Sequence, residues 1–144
     1  MKKLMEMEVM TPERNILLRT DIVYVLAEAV TGGIGVLADH APLIAVLKEG
    51  PLKVEDRREK FSFYYVEGGF MEVEDNKVTI LTPKALELTE LNEAELQDRL
   101  ALDKGRLEHP TATTDIPSVE RDICRITARL KTIDLAKQEQ TIVF

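Results

Sequence analysis

The sequence predicts a mostly β plus α chain: an N-terminal antiparallel β-sandwich over residues 1–84, then a C-terminal αα-hairpin over residues 85–144. Two observations predict it. Six of the seven aromatics and six of the seven glycines precede Pro83, whereas Leu, Ala, Glu, Arg, Lys and Gln dominate beyond it. Aromatic and β-branched residues punctuated by Gly and Pro make strands and turns; the second set are the good helix formers. The apolar spacing also changes, from short alternating runs to steps of three and four.

The first half reads as a succession of short strands. Residues 3–10 alternate, with Leu4, Glu6 and Glu8 opposed to Met5, Met7 and Val9, and Thr11-Pro12-Glu13-Arg14 is a turn with Pro at its second position. Ile22–Leu26 is a strongly apolar strand. Thr31-Gly32-Gly33-Ile34-Gly35 reads as a loop, after which Val36-Leu37 resumes an extended run. Asp39-His40-Ala41-Pro42 and Gly50-Pro51 mark further breaks, and Glu55–Glu59 is a charged hairpin. Phe61–Val66, Phe70–Val73 and Val78–Leu81 complete the series, the last two joined by Glu74-Asp75-Asn76-Lys77. Many short strands at close spacing indicate a sandwich or barrel.

The second half reads as two helices. The first starts near Asn92 with Glu95 three residues on, in the pattern of a capping box, and stops before Pro110. Its stripe of Leu96, Leu100 and Leu107 is weak, because Asp103 interrupts it and Gly105 disfavours helix. Pro110–Pro117 is the linker. The second helix carries a clean stripe, Val119, Ile123, Ile126, Leu130 and Ile133, suited to packing against another helix. Residues 85–109 hold seven acids and three bases; residues 110–144 hold five of each. Arg121, Arg125 and Arg129 recur every four residues and form one ridge. Such a ridge is either a solvated or ion-paired face, or a basic surface for an acidic partner or phosphate.

Composition excludes several function classes. A net charge of −7 argues against a general nucleic-acid binder, which needs a basic face. One cysteine, Cys124, excludes a disulfide framework and a cysteine-based zinc site. Neither a signal segment nor an apolar run of spanning length is read, so a soluble, intracellular chain without direct membrane insertion is expected. The Thr31–Gly35 segment lacks the Lys-Ser/Thr of a phosphate-binding loop, His40 and His109 have no partner at metal spacing, and Cys124 sits beside an apolar stripe. No catalytic constellation or metal site emerges.

Five segments, in order, carry a resemblance: Val9-Met10-Thr11-Pro12-Glu13; Gly33-Ile34-Gly35-Val36-Leu37-Ala38-Asp39-His40-Ala41-Pro42-Leu43; Gly50-Pro51-Leu52-Lys53-Val54; Val66-Glu67-Gly68-Gly69-Phe70-Met71-Glu72-Val73; and Asn76-Lys77-Val78-Thr79-Ile80-Leu81. With two helices following, the chain resembles the epsilon subunit of F-type ATP synthases over nearly its whole length.

The resemblance implies a non-catalytic central-stalk role at the cytoplasmic face of the bacterial plasma membrane. It implies a sandwich that meets the gamma subunit and the c-ring, coupling rotation to ATP synthesis. The Ile34–Pro42 segment resembles the ring-facing loop, with Ile34, Leu37, His40 and Pro42 as contact candidates. Ile34 stands where an acidic residue is common, and Ala38-Asp39 replaces the usual Pro-Gly. The hairpin corresponds to the family's regulatory element, which lies on the sandwich or extends along gamma to block hydrolysis. Arg121, Arg125 and Arg129 are then candidates for contact with the catalytic alpha and beta subunits. Some relatives bind ATP on the folded hairpin through a Leu/Ile-Asp-x-x-Arg-Ala motif. Here the stretch is Leu91-Asn92-Glu93-Ala94-Glu95-Leu96, with Asn92 for Asp and Glu95 for Arg, beside Arg125 and Arg129 at the second helix's basic positions. A carboxylate in place of a guanidinium is unfavourable beside a triphosphate. No cofactor is therefore expected, and ATP binding is expected to be weak or absent.

Overall fold

A computed structural model describes residues 2–13 and 15–142, without the side chains of Ile16 and residues 140–142. Arg14, at the end of the expected first turn, and Phe144 lie outside the described residues. The strands are β1 (Met5–Met10), β2 (Asn15–Ala29), β3 (Gly32–Leu37), β4 (Leu43–Asp56), β5 (Phe61–Glu74), β6 (Lys77–Leu81) and β7 (Ala85–Glu87). Two helices follow, α1 (Glu93–Glu108) and α2 (Ile116–Ile142).

Neighbouring strands run in the order β1-β6-β5-β4-β2-β3, with β7 on β5, and β1 also pairs with β2. That last pairing closes a ring and makes a flattened barrel with two sheet-like walls. Every pairing is antiparallel except β1 with β6, where Glu6 to Met10 run alongside Lys77 to Leu81. The alternation in β1 is as expected, with Met5, Met7 and Val9 buried inside. They join Ile22, Val25, Val36, Leu52, Val54, Met71, Val73, Val78 and Ile80 in one core.

Three expected breaks are not breaks. The Thr31–Gly35 segment is mostly edge strand, since Gly32–Leu37 pair with Tyr24–Ala29 and only the residues around Thr31 turn. Gly50-Pro51 lies inside β4, and Gly68-Gly69 joins the two expected strands into one β5. The β4–β5 pairing continues without slip from Leu43↔Val73 through Gly50↔Val66 to Glu55↔Phe61. The reason is a corner. Ala45, Leu47, Met71 and Val73 point inward on one side of it, whereas Leu52, Val54 and Val66 do so on the other, so the inward parity reverses. Strands that pass between the walls of a sandwich bend in this way. Gly68 and Gly69 have φ of 83° and 102°, and a Cβ on Gly69 would fall 1.9 Å from the Leu81 carbonyl oxygen. Only glycine fits there.

The two helices form as the sequence indicates, with two boundaries moved: residues 85–87, expected in the hairpin, are strand β7 on β5 of the sandwich, and α2 begins before Pro117. The Asn92 side chain accepts a hydrogen bond from the Glu95 amide and caps α1. Pro117 belongs to the first turn of α2 rather than to the linker, at a position where an amide hydrogen has no helical acceptor. Leu96, Ile126 and Ile133 form the buried centre between the helices, flanked by Leu88, Leu91, Leu100 and Leu130. At roughly 1.5–3 kcal/mol each, three buried side chains make a small core beside the seventeen of the sandwich. Asp103 does not interrupt the stripe from outside; it is itself buried. A second face of α2, the small residues Ala128, Thr132 and Ala136, is buried as well.

Candidate interaction surfaces

The first surface is the seam between α2 and the wall made by β4 and β5. Pro51, Lys53 and Glu55 of β4 pair with Tyr65, Phe63 and Phe61 of β5, and these alternate residues face away from the core. Small side chains on α2 let the helix approach this wall, and Thr132 satisfies its buried hydroxyl on the Ala128 carbonyl at 3.0 Å. Charges hold the edges. Arg125 Nε lies 3.3 Å from Glu67 and 3.6 Å from Glu49, and Arg129 Nη2 lies 4.0 Å from Glu67. The Arg129 guanidinium also covers the Tyr65 ring at 5.0 Å, a cation–π contact. Lys131 reaches Glu28 at 2.5 Å, and Lys53 pairs with Glu139 while covering Phe61. Burial is the main cause that pushes the Tyr65 phenol up to about 12, with the nearby Glu67 adding to it. Among the described residues, Glu49 Oε2 and Arg129 Nε are buried without a hydrogen-bond partner. The seam is therefore polar and incompletely satisfied, unlike the barrel core.

The arginine ridge thus divides. Arg125 and Arg129 turn toward the chain's own sandwich, whereas Arg121 is exposed near the loop end of the hairpin. Of the readings open for the ridge, ion pairing within the chain is what forms for Arg125 and Arg129, with acceptors on the sandwich. The helices are instead tied by Arg99 with Asp122 at 2.8 Å and Lys137 with Glu93 at 2.6 Å.

The second surface is the opposite wall, which no helix among the described residues covers. Register places Val46 beside Phe70, Phe70 beside Leu81 and Leu81 beside Met10, one row across four strands. The adjacent row runs Ile44, Glu72, Thr79, Glu8 and Leu18. Phe70 is 53% exposed and Ile44 74%, and Val46, Leu81 and Leu18 are exposed as well. An exposed apolar row of this kind, edged by Ile44 and Leu18 with Glu72, Thr79 and Glu8 between them, marks an interaction site.

The third surface is the turn end of the barrel. Ile34 is half-buried in edge strand β3, and Leu37 at its end is 60% exposed. His40 bonds the Ala41 carbonyl through Nδ1 at 2.7 Å, and Pro42 is exposed. Asp39 has a φ of 67°, so an aspartate adopts the left-handed conformation usual for glycine, as short polar residues tolerate. Its amide donates to Asn76 Oδ1 at 2.5 Å, and Lys3 donates to its carboxylate at 2.6 Å. The Lys3 bond, helped by Asn76, holds the Asp39 carboxyl below the usual carboxylate range. These contacts tie the N-terminus, the β3–β4 turn and the β5–β6 turn together.

Asn92 and Glu95 sit at the start of α1, where the Asn92 oxygen is engaged in capping and Glu95 is exposed. No hydrogen bond or ion pair among the described residues joins either to Arg125 or Arg129.

With this geometry in hand, residues 4–88 match the family described as the ATP synthase delta/epsilon chain, beta-sandwich domain. The chain belongs to the ATP synthase epsilon-chain family. It is 33% identical over 109 residues to the ATP synthase epsilon chain of Alkalilimnicola ehrlichii, covering 76% of this chain and 78% of that one. Against the ATP synthase epsilon chain of Pelotomaculum thermopropionicum it is 38% identical over 92 residues, or 64% and 67% of the two chains. The fold is shared with a chain in the Euglena gracilis mitochondrial ATP synthase, at a TM-score of 0.71 and 22% identity over 95% of this chain and 81% of that chain. A chain in the central stalk/c-ring structure of Tetrahymena thermophila mitochondrial ATP synthase gives a TM-score of 0.57 at 16% identity, over 93% and 97%.

As an epsilon chain, the molecule is a subunit of a membrane-associated ATP synthase, and no described helix is long and apolar enough to cross a membrane. Motif reading alone missed the acceptors Glu49, Glu67 and Tyr65 and the open face of Ile44, Val46, Phe70 and Leu81. A signal for the second existed: Leu43-Ile44-Ala45-Val46-Leu47 is apolar on both faces, the mark of a strand covered on both sides.

Proposed function

We propose that this epsilon chain is a non-catalytic stalk subunit of a bacterial F-type ATP synthase at the cytoplasmic face of the plasma membrane. In this reading it couples rotation of the c-ring and gamma to ATP synthesis and brakes ATP hydrolysis through its helices. The open row of Val46, Phe70 and Leu81 grips gamma. The turn end, with Leu37, His40 and Pro42 exposed or partly so and Ile34 behind them, rests on the c-ring.

The observation that carries the regulatory part is the polar seam. A hairpin bound by ion pairs and small residues detaches at far lower cost than one bound by a deep apolar core. Once free, Arg121, Arg125 and Arg129 present three guanidinium groups along one ridge to acidic segments of the alpha and beta subunits. Glu49 and Glu67 then compete with those segments for the same arginines, which makes the hairpin a two-position element. ATP has weak or no affinity for the docked hairpin, because the Asn92 oxygen is occupied, Glu95 repels phosphate, and Arg125 and Arg129 are paired with Glu49 and Glu67.

The test is a lock. Glu28→Cys and Lys131→Cys, in a Cys124→Ser background, are bridged by a short bis-maleimide with the hairpin docked. Assembled into the catalytic complex, the bridged chain permits fast ATP hydrolysis and the unbridged chain inhibits it. Equal rates would overturn the brake.

A further inference from the structure

Near the loop end of the hairpin, two carboxyl groups face one another across the helix interface. Asp103 of α1 is buried, its side chain only 4% exposed, and its Oδ2 has no hydrogen-bond donor among the described residues. Asp122 of α2 lies within hydrogen-bond reach of it. Both line a cavity of about 290 Å³ with Arg106, Ser118, Val119, Arg121 and Arg125. Each aspartate has a cation of its own: Arg106 Nη1 at 3.2 Å from Asp103, and Arg99 Nη2 at 2.8 Å from Asp122. Arg125 acts on Asp122 from the same helix and is held on its far side by Glu49 and Glu67 of the sandwich. Holding the buried Asp103 carboxylate against the half-buried Asp122 carboxylate is costly, and a single shared proton removes both the repulsion and the orphaned oxygen.

We propose that Asp103 and Asp122 form a proton-dependent clasp that closes the helical hairpin when they share one proton and loosens it when that proton leaves. The hydrogen bond to Asp122, followed by burial, raises the Asp103 carboxyl above its ordinary range, while the bond from Asp103 lowers Asp122. The raised group stabilises the closed hairpin at low pH and loses that effect as pH rises through its closed-state value. The lowered group stabilises it above the ordinary aspartate range and fails only in stronger acid. Closure is therefore tightest between the two values and weakens on the alkaline side through Asp103. Because the pair titrates as a unit, the two steps belong to the clasp rather than to either residue alone. Arg125 sits in both the clasp and the seam, so loosening the hairpin end also loosens its hold on Glu67. The clasp is a property of the isolated chain and does not depend on which subunits the hairpin later meets.

Asp103→Asn tests it, because an amide donates permanently the hydrogen bond that the protonated acid donates conditionally. Hydrogen exchange of the α1 amides is followed in the full chain from acidic to neutral pH and corrected for intrinsic exchange. Native protection falls by about tenfold for each unit by which the closed-state value exceeds the open one, whereas Asp103→Asn stays level. Parallel behaviour of the two proteins would overturn the clasp. Should Asp103→Asn not fold its hairpin, carboxyl carbon-13 titration of the native chain decides. Two well-separated steps for Asp103 and Asp122 support the clasp, and two coincident ordinary ones overturn it.

Discussion

The guanidinium of Arg129 stands 5.0 Å from the centroid of the Tyr65 ring, and the same side chain reaches within 4.0 Å of the Glu67 carboxylate. Ring and carboxylate lie two residues apart on one strand, so a single arginine from α2 engages both. Arg125, one helical turn earlier, meets Glu67 as well. Glu67 is the convergence point of the seam, and the strength of docking is set there more than at the solvent-facing Lys131–Glu28 pair.

Glu67→Gln keeps the shape and removes the charge that both arginines share. Docking of α2 should weaken by about 1–3 kcal/mol, the usual cost of leaving partly buried charges short of a partner. Energy transfer between dyes on the sandwich and on α2 should show a larger separated fraction, while the melting of the sandwich is unchanged. An unaltered separated fraction would remove Glu67 from the seam.

Tyr65 sets an alkaline limit on the same contact. Burial raises its phenol from 10.0 to about 12. A group raised on docking stabilises the docked state below its free value and loses that contribution as pH climbs from about 10 to about 12. The difference in ultraviolet tyrosinate titration between the native chain and Tyr65→Phe should therefore show a late-titrating phenol. Truncating the hairpin should return that phenol toward ordinary behaviour.

Gly69→Ala should destabilise the sandwich by about 3 kcal/mol or more, since it combines a backbone collision with a left-handed conformation. The collision is with the Leu81 carbonyl. Gly32→Ala, where a Cβ meets nothing within 4 Å, should cost less despite its positive φ. Paired urea titrations measure both.

Phe70→Asp places a charge in the middle of the uncovered sheet face. The isolated chain should lose little stability, because Phe70 is already exposed. Co-purification with gamma should fall sharply. Retained binding would move the gamma contact elsewhere on the sandwich.

The two-part architecture was legible because composition changes near Pro83 and periodicity changes with it. The helix stripe was legible for the same reason: Val119, Ile126 and Ile133 repeat at helical spacing and are buried. Strand ends in the corner were not. Gly50-Pro51 and Gly68-Gly69 use the residue types that terminate strands, yet here they bend strands whose pairing continues on both sides. Asp103 misled in a different way, since an acid within an apolar stripe reads as exposure and is instead buried opposite Asp122. Of the ridge, the spacing of Arg121, Arg125 and Arg129 was visible. Its partners were not, because Glu49 and Glu67 come from the paired strands β4 and β5, far from it in sequence.

The hairpin's braking role is tested most simply by ATP hydrolysis of the reconstituted catalytic complex, with the full chain and with a chain ending at Leu91. Ending there spares β7, whose Ala85–Glu87 pair with β5. Hydrolysis should be faster with the shortened chain at equal occupancy of the complex. Equal rates would contradict the brake and leave the sandwich as a coupling joint alone.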